Sequence, residues 1–221
     1  MPADPLVTIV TMPDHARFAV FLSAALLLAI APGPGMLYVL ARSLAGGKRE
    51  GVLSAFGTFM GGMVHVFAAA AGLSLILARS ALAYGTLKYA GAAYLCFLGI
   101  RMIRDARCDT DTNHLPQLTT PVRNPLWQGV ATEALNPKTA LFFLSFIPQF
   151  VSRSSPHVFW HFLLLGTISV VLNTSADLIV IALAGPLGAK IRSSTKFRRR
   201  QRTATGLVMI GLGTYVAFSE K

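Results

Sequence analysis

An all-α, membrane-spanning fold is what this sequence predicts, and three observations carry the prediction. The 221 residues are 53% hydrophobic and only 13% charged, whereas a soluble domain carries about 25% charged residues. Apolar stretches recur six times along the chain, each near or above the roughly 17 residues needed to cross a bilayer. Two of these stretches are interrupted by proline near their middles, at Ala31-Pro32-Gly33-Pro34-Gly35 and at Leu135-Asn136-Pro137-Lys138. A lipid-facing helix has no reason to carry such a break, because unmade backbone hydrogen bonds are costly in hydrocarbon.

The spans run from Phe18 to Leu40, Gly51 to Ala78, Ala81 to Ile103, Leu126 to Val151, His157 to Pro186 and Thr203 to Ser219. The last is the shortest. The first apolar run lacks a basic segment before it and a small-residue cleavage site, so it reads as a retained span rather than a secretory signal. The polar stretch from Arg104 to Pro125 reads as a linker over about 105–125, between one half at 18–104 and another at 126–219.

A net charge of +11 raises the question of nucleic acid. The bases sit mainly between apolar segments, where the positive-inside rule explains them better. The odd loops hold Arg42, Lys48 and Arg49, then Arg101, Arg104, Arg107 and Arg123, then Lys190, Arg192, Lys196, Arg198, Arg199, Arg200 and Arg202. That is fourteen, against five on the opposite side: Arg17, Arg79, Lys88, Arg153 and Lys221. The imbalance predicts cytoplasmic odd loops and external termini. The Lys196–Arg202 run reads as a topology and lipid-surface device.

The two halves share an order of features. In each, a proline-broken span precedes one carrying Gly-Thr, at Gly57-Thr58 and Gly166-Thr167, and a glycine-rich third span follows. Three spans per half is an odd number, so the second half must be inverted. The expected architecture is six transmembrane helices in two inverted three-helix repeats, with helices 1 and 4 broken. Broken spans in corresponding positions of two halves point to a transport site.

Asn136 is a favoured helix cap and Pro137 suits a first helical position. The fourth span therefore stops near Leu135 and restarts, and Gly33-Pro34 allows the same in the first. The restarted half-helices would aim N–H groups and positive dipole ends at mid-membrane, where a carboxylate is a natural guest. The bland alternative is a pair of kinks that improve packing. Candidate substrate-binding residues are Pro32, Gly33, Pro34, Gly35, Glu133, Asn136, Pro137, Lys138 and Asn173.

Charges at membrane depth cost about 2.5–3.5 kcal/mol each on insertion scales. Glu133, Lys138 and Asp177 are such residues. Glu133 and Asn136 share a helix face, and Gly166, Ser169, Asn173 and Asp177 form a polar stripe at spacings of three, four and four. A carboxylate there could attract an ammonium or carry a proton; the alternative is a structural ion pair of Lys138 with Glu133 or Asp177. His65 follows Gly57 and Gly61 at four-residue steps, on a face that permits close helix contact. It is either a hydrogen-bonded packing residue or a proton carrier. The proton-coupling candidates are Asp177, Glu133 and His65. Neither Cys96 nor Cys108 has metal-site or disulfide spacing, so no metal or cofactor is expected.

These residues resemble the LysE/RhtB family of amino-acid exporters over nearly the whole chain. The matching motifs are Ala31-Pro-Gly-Pro-Gly35, Gly57-x3-Gly61-x3-His65, Lys88-Tyr-Ala-Gly-Ala-Ala-Tyr-Leu95 with Leu98-Gly99, and Gln128-Gly129. They continue with Asn136-Pro-Lys138, Phe142-Phe143, Phe146, Pro148-Gln-Phe150 and Arg202-x3-Gly206. The resemblance implies export of amino acids or close derivatives, of homoserine, homoserine lactone, threonine, leucine or lysine type, across a bacterial inner membrane. It further implies proton antiport and a homodimer. Many relatives carry an amide where this chain has Glu133, and a polar or acidic residue where it has Gly62.

Rival readings meet specific obstacles. A thiol-redox carrier needs reactive cysteines beside the broken helices. A heavy-metal exporter of the same superfamily needs a ligand cluster, and a membrane-embedded enzyme needs an activated nucleophile with a positioned base. A scaffold protein leaves two matched breaks unexplained.

Overall fold

The computed structural model describes residues 15–79, 81–107, 124–151, 155, 157–193 and 195–218. Among them there is no strand, and seven α-helices follow one another. They are α1 (His15–Ile30), α2 (Pro34–Arg79), α3 (Ala81–Arg107), α4 (Pro125–Ala134), α5 (Pro137–Leu141), α6 (Val158–Ser193) and α7 (Thr195–Phe218). After α5 the chain continues through a π turn, Phe142–Phe146, and a 3-10 turn, Ile147–Phe150. Pro148 explains the change of winding: it has no N–H to donate, and its ring would clash with the Leu144 carbonyl in a regular helix.

The 46 residues of α2 would measure about 69 Å if straight, against about 30 Å of hydrocarbon. The break is Gly47, whose φ of 75° lies in the left-handed region that glycine tolerates. Ser43 packs directly against Gly51, and Val39 shares a buried cluster with Ala55. In a straight helix those pairs would lie about 12 and 24 Å apart along the axis, so the chain folds back at Gly47 into two arms, 34–46 and 48–79. The expected loop between the first two spans is therefore a one-residue turn. Arg42, counted among that loop's bases, is 2% exposed and ion-paired with Glu50 across the turn. The basic run Lys196–Arg202 is likewise helical, within the first two turns of α7. Cys108 and most of the expected linker lie outside the described residues.

The most extensive interfaces are α2 with α4, α2 with α6 and α3 with α7, followed by α1 with α6. Glycine makes two of them possible. A Cβ on Gly57 would lie 2.2 Å from the Leu126 carbonyl oxygen, and one on Gly129 2.6 Å from that of Ser54. Gly99 and Gly206 approach each other's carbonyl oxygens just as closely, at 2.5 and 2.6 Å. Gly57→Ala and Gly99→Ala should each cost about 1–3 kcal/mol by forcing backbones apart. Gly211→Ala, where nothing lies within 4 Å of an added Cβ, should be neutral or stabilising by up to about 1 kcal/mol. Thermal unfolding of the purified variants in one detergent measures all three; equal melting temperatures would dismiss the close-packing argument.

Inside, Phe142, Phe146 and Phe150 stack successively, with ring centroids 5.0 and 4.9 Å apart, and Phe21 packs edge-on against Phe150. Outside, Ile30, Val64, Phe67, Phe97, Ile100, Ile179 and Leu207 are exposed, while Arg42, Ser54, Thr58, Glu133, Lys138 and Asp177 are buried. Large apolar side chains outside and charges inside reverse the arrangement of a soluble protein. Among the described residues, Pro34–Gly72, in its arm after Gly47, and Val158–Ala184 are long and apolar enough to cross a bilayer, and Ala16–Ile30 is a shorter apolar helix.

Candidate functional site

The two helix breaks lie against each other. At the first, α1 ends at Ile30 and α2 begins at Pro34, joined by Ala31, Pro32 and Gly33. At the second, α4 ends at Ala134, and Asn136 caps α5 by accepting a hydrogen bond from the Lys138 backbone N–H at 3.1 Å. Pro137 follows as the first helical residue, where its missing N–H is no loss.

Charges from the second break satisfy the first. Lys138, 7% exposed, donates from Nζ to the Leu28 carbonyl at 2.8 Å and also to the Ala31 carbonyl. Those carbonyls belong to the C-terminal end of α1, where a cation is favoured. Gly33 makes room, since a Cβ there would lie 3.0 Å from the Lys138 side chain. Glu133, 3% exposed, accepts from Asn136 Nδ2 at 3.0 Å and from Thr139 Oγ1 at 2.6 Å. Its Oε2 occupies the space beside Gly35, where a Cβ would come within 2.2 Å. The carboxylate thus sits at the N-terminal end of α2, where an anion is favoured. The positive end of α2, expected to face a substrate, is occupied in this conformation by the protein's own carboxylate. Lys138 forms a salt bridge with neither Glu133 nor Asp177 among the described residues; both charges near the breaks are directed to helix ends instead.

Beside the breaks is a small, partly open cavity of about 20 Å³, walled by Leu28, Thr58, Gly62, Glu133, Lys138 and Asn173 among others. Phe142, Phe143 and Val170 supply an apolar side, and Ser169 and Thr139 further hydroxyls. Of the candidate substrate-binding residues, Glu133, Lys138 and Asn173 line this cavity. Pro32, Gly33, Gly35 and Asn136 are buried in its frame, whereas the rings of Pro34 and Pro137 are exposed on the outer side.

Asp177 and His65 lie one layer back. His65 Nε2 is 3.0 Å from the Glu133 carbonyl oxygen; a carbonyl only accepts, so Nε2 carries the proton of this bond. The ring stacks on Phe143 at 6.0 Å. Gly61, one turn earlier, faces the Val130 carbonyl and the Glu133 Cβ. The Gly57-Gly61-His65 face therefore seats α4 and holds the backbone of Glu133 in place.

Asp177 is fully buried, with Oδ2 3.0 Å from Thr58 Oγ1 and Oδ1 without a hydrogen-bond partner. Thr58 Oγ1 is also 2.9 Å from the Ala55 carbonyl. One hydroxyl has one proton, so two arrangements fit this geometry. A charged Asp177 accepts the Thr58 proton. A protonated Asp177 donates to Thr58, which turns its own proton to Ala55. Thr58 was visible in sequence only as part of Gly57-Thr58; its four-residue spacing from Glu50 and Ser54 was the signal for a polar face.

Cys96 donates weakly to the Ile210 carbonyl at 3.8 Å, in the α3–α7 interface. Among the described residues no group of three or more His, Cys, Asp and Glu side chains is arranged to hold a metal ion.

Two broken helices meeting at buried charges, inside a bundle with an apolar exterior, define a helical membrane protein of the transporter class. The chain belongs to the LysE type translocator family, whose sequence model matches residues 26–220. It is 31% identical over 207 residues to an uncharacterized membrane protein of Vibrio cholerae, covering 93% of this chain and 98% of that one. An uncharacterized membrane protein of Pseudomonas aeruginosa is 34% identical over 194 residues, covering 86% and 87%. A leucine efflux protein of Salmonella typhimurium is 25% identical over 197 residues, covering 89% and 92%. No solved structure matches the chain.

Proposed function

We propose that this protein exports amino acids or close derivatives across a bacterial inner membrane by proton antiport. The observation that carries the reading is the crossed pair of seats at the first break. One holds an ammonium on α1 carbonyls and the other a carboxylate at the start of α2. These are the two groups of a zwitterionic amino acid, and the adjoining cavity has an apolar side for a side chain. The relatives named leucine efflux proteins support the same substrate class.

Charge balance supports antiport. Lys138 can offset one of the two buried carboxylates, Glu133 and Asp177. The other needs a proton or the ammonium of a substrate, since an uncompensated charge at this depth is costly. Binding of substrate would release the proton from Asp177, with Thr58 reversing its hydroxyl. Glu133 and then His65 are the next carriers in order.

The helix pairing supports six spans in two inverted repeats. α1 packs on α6 and α4 on α2, the exchange a pseudo-two-fold axis requires, and α3 meets α7 through the reciprocal Gly99–Gly206 contact. Cysteine labelling in intact cells tests the topology: a probe at Ser219 should react from outside and one at Ser194 should not. Both positions lie outside the described residues. The reverse pattern would invert the orientation, and equal access would remove the sixth span.

Pro34→Ala and Pro137→Ala should each insert normally and lose export, because a continuous helix would pull the seats apart. Wild-type efflux at normal expression would reduce both prolines to packing features. The direct test of function is a metabolite export screen in cells overexpressing the chain, beside thermal stabilisation of the purified protein by amino acids, divalent metals and thiol reagents. Stabilisation by metals alone, with no amino acid exported, would overturn the reading.

A further inference from the structure

A second buried polar group lies between Asp177 and the Gly47 turn, and the transport reading does not use it. On the second arm of α2, Glu50, Ser54 and Thr58 follow at four-residue steps, one face spanning about 12 Å. On the first arm, Tyr38 and Arg42 are one turn apart. Ser54 is fully buried, Thr58 and Arg42 are each 2% exposed and Tyr38 is 6% exposed. The Ser54 hydroxyl lies beside the Tyr38 phenol, which donates to the Pro125 carbonyl at 2.8 Å. Ser54 Oγ, Arg42 Nε and Asp177 Oδ1 are all buried without partners. Three orphaned polar atoms in one region are expensive unless water reaches them. Apolar residues were available: Val39, Ala55 and Ile181 form a dry cluster on the neighbouring face.

We propose that Glu50, Ser54 and Thr58, with Tyr38 and Arg42 opposite, form a hydrated proton path from the Gly47 turn to Asp177, closed at its outer end by the Arg42–Glu50 ion pair. The inference rests on the proton-antiport reading and adds the route and its gate. Thr58 is the inner relay, because its hydroxyl can be donor or acceptor to Asp177. Ser54 is the middle station, carrying a donor and two acceptor sites beside the Tyr38 phenol. The ion pair holds the outer end: Glu50 is one-third exposed while Arg42 is buried, so opening the pair would admit water from the turn. Glu133 and Lys138 are the other charged groups acting on Asp177; they line the cavity on its substrate side. The path and the cavity thus meet at Thr58, in front of Asp177.

The test uses Ser54→Val and Ser54→Thr in the full chain, since these variants match in shape and differ in the hydroxyl. In proteoliposomes, two rates are read for each: substrate-linked proton flux by a pH dye, and substrate exchange without a pH gradient. Ser54→Val should lower proton-coupled flux about tenfold or more, as removal of a positioned proton-transfer group does. Exchange should stay within about twofold of wild type, and Ser54→Thr should restore coupled flux. Coupled flux in Ser54→Val equal to wild type, or an equal loss in both variants, would overturn the path and leave antiport intact. A wild-type protein that moves substrate with no linked proton flux would overturn the antiport reading itself.

Discussion

Asp177→Asn abolishes uphill, gradient-driven efflux and leaves substrate binding measurable. The change keeps the side chain's size and its contact with Thr58 but removes a carboxyl group behind the cavity that can alternate between charged and neutral. Asn cannot release a proton, so Thr58 loses its reason to reverse. The expected loss of coupled transport is about 100-fold or more, the scale on which a positioned proton-transfer group acts. The measurement is efflux from proteoliposomes with and without an imposed pH gradient, beside binding by the same preparation. Because Asp177 lies behind Thr58 rather than on the cavity wall, the dissociation constant should change far less than the coupled rate. A variant that still responds to the gradient as wild type does would make Asp177 a structural charge and pass the coupling role to Glu133 or His65.

Lys138→Met carries the second large effect, and it reaches both stability and transport. Methionine keeps an unbranched side chain one atom shorter than lysine but donates nothing to the Leu28 and Ala31 carbonyls. Those carbonyls would be left at a helix end inside the bundle, and Glu133 and Asp177 would lose the cation that acts on both. Breaking a buried charged set by removing one partner costs about 3–5 kcal/mol. The variant should therefore melt at a lower temperature in detergent and export at background level even where enough protein remains folded. Substrate binding separates the two effects: the folded fraction should still bind the substrate class, whose ammonium can take the seat at the end of α1 that Lys138 has vacated. Wild-type export and melting by Lys138→Met would refute the crossed-seat account of the site.

The contrast between these two residues shows what could be read along the chain. Lys138 was recognisable as costly at its depth, and the local chemistry of Asn136 and Pro137 marked the break beside it. Both of its candidate ion-pair partners, however, were carboxylates close to the break or on the polar stripe. Its actual partners are carbonyls of Leu28 and Ala31, more than a hundred residues earlier. Arg42 is a second case. It was counted as one of three bases in the first loop, and the one-residue turn at Gly47 folds Glu50 back over it and buries it.

The sequence by itself determined the helical class, the apolar exterior, the two breaks and the cap at Asn136. These follow from interactions within a turn or two: proline lacks an N–H, asparagine accepts from the backbone two residues on, and apolar runs must avoid water. Only the tertiary structure decided which charge meets which helix end, which hydroxyl meets Asp177, and where the chain reverses between its first two long arms. Those outcomes depend on how closely backbones approach at Gly57, Gly129, Gly99 and Gly206. That approach is set by packing between segments far apart in the chain, and no local pattern encodes it.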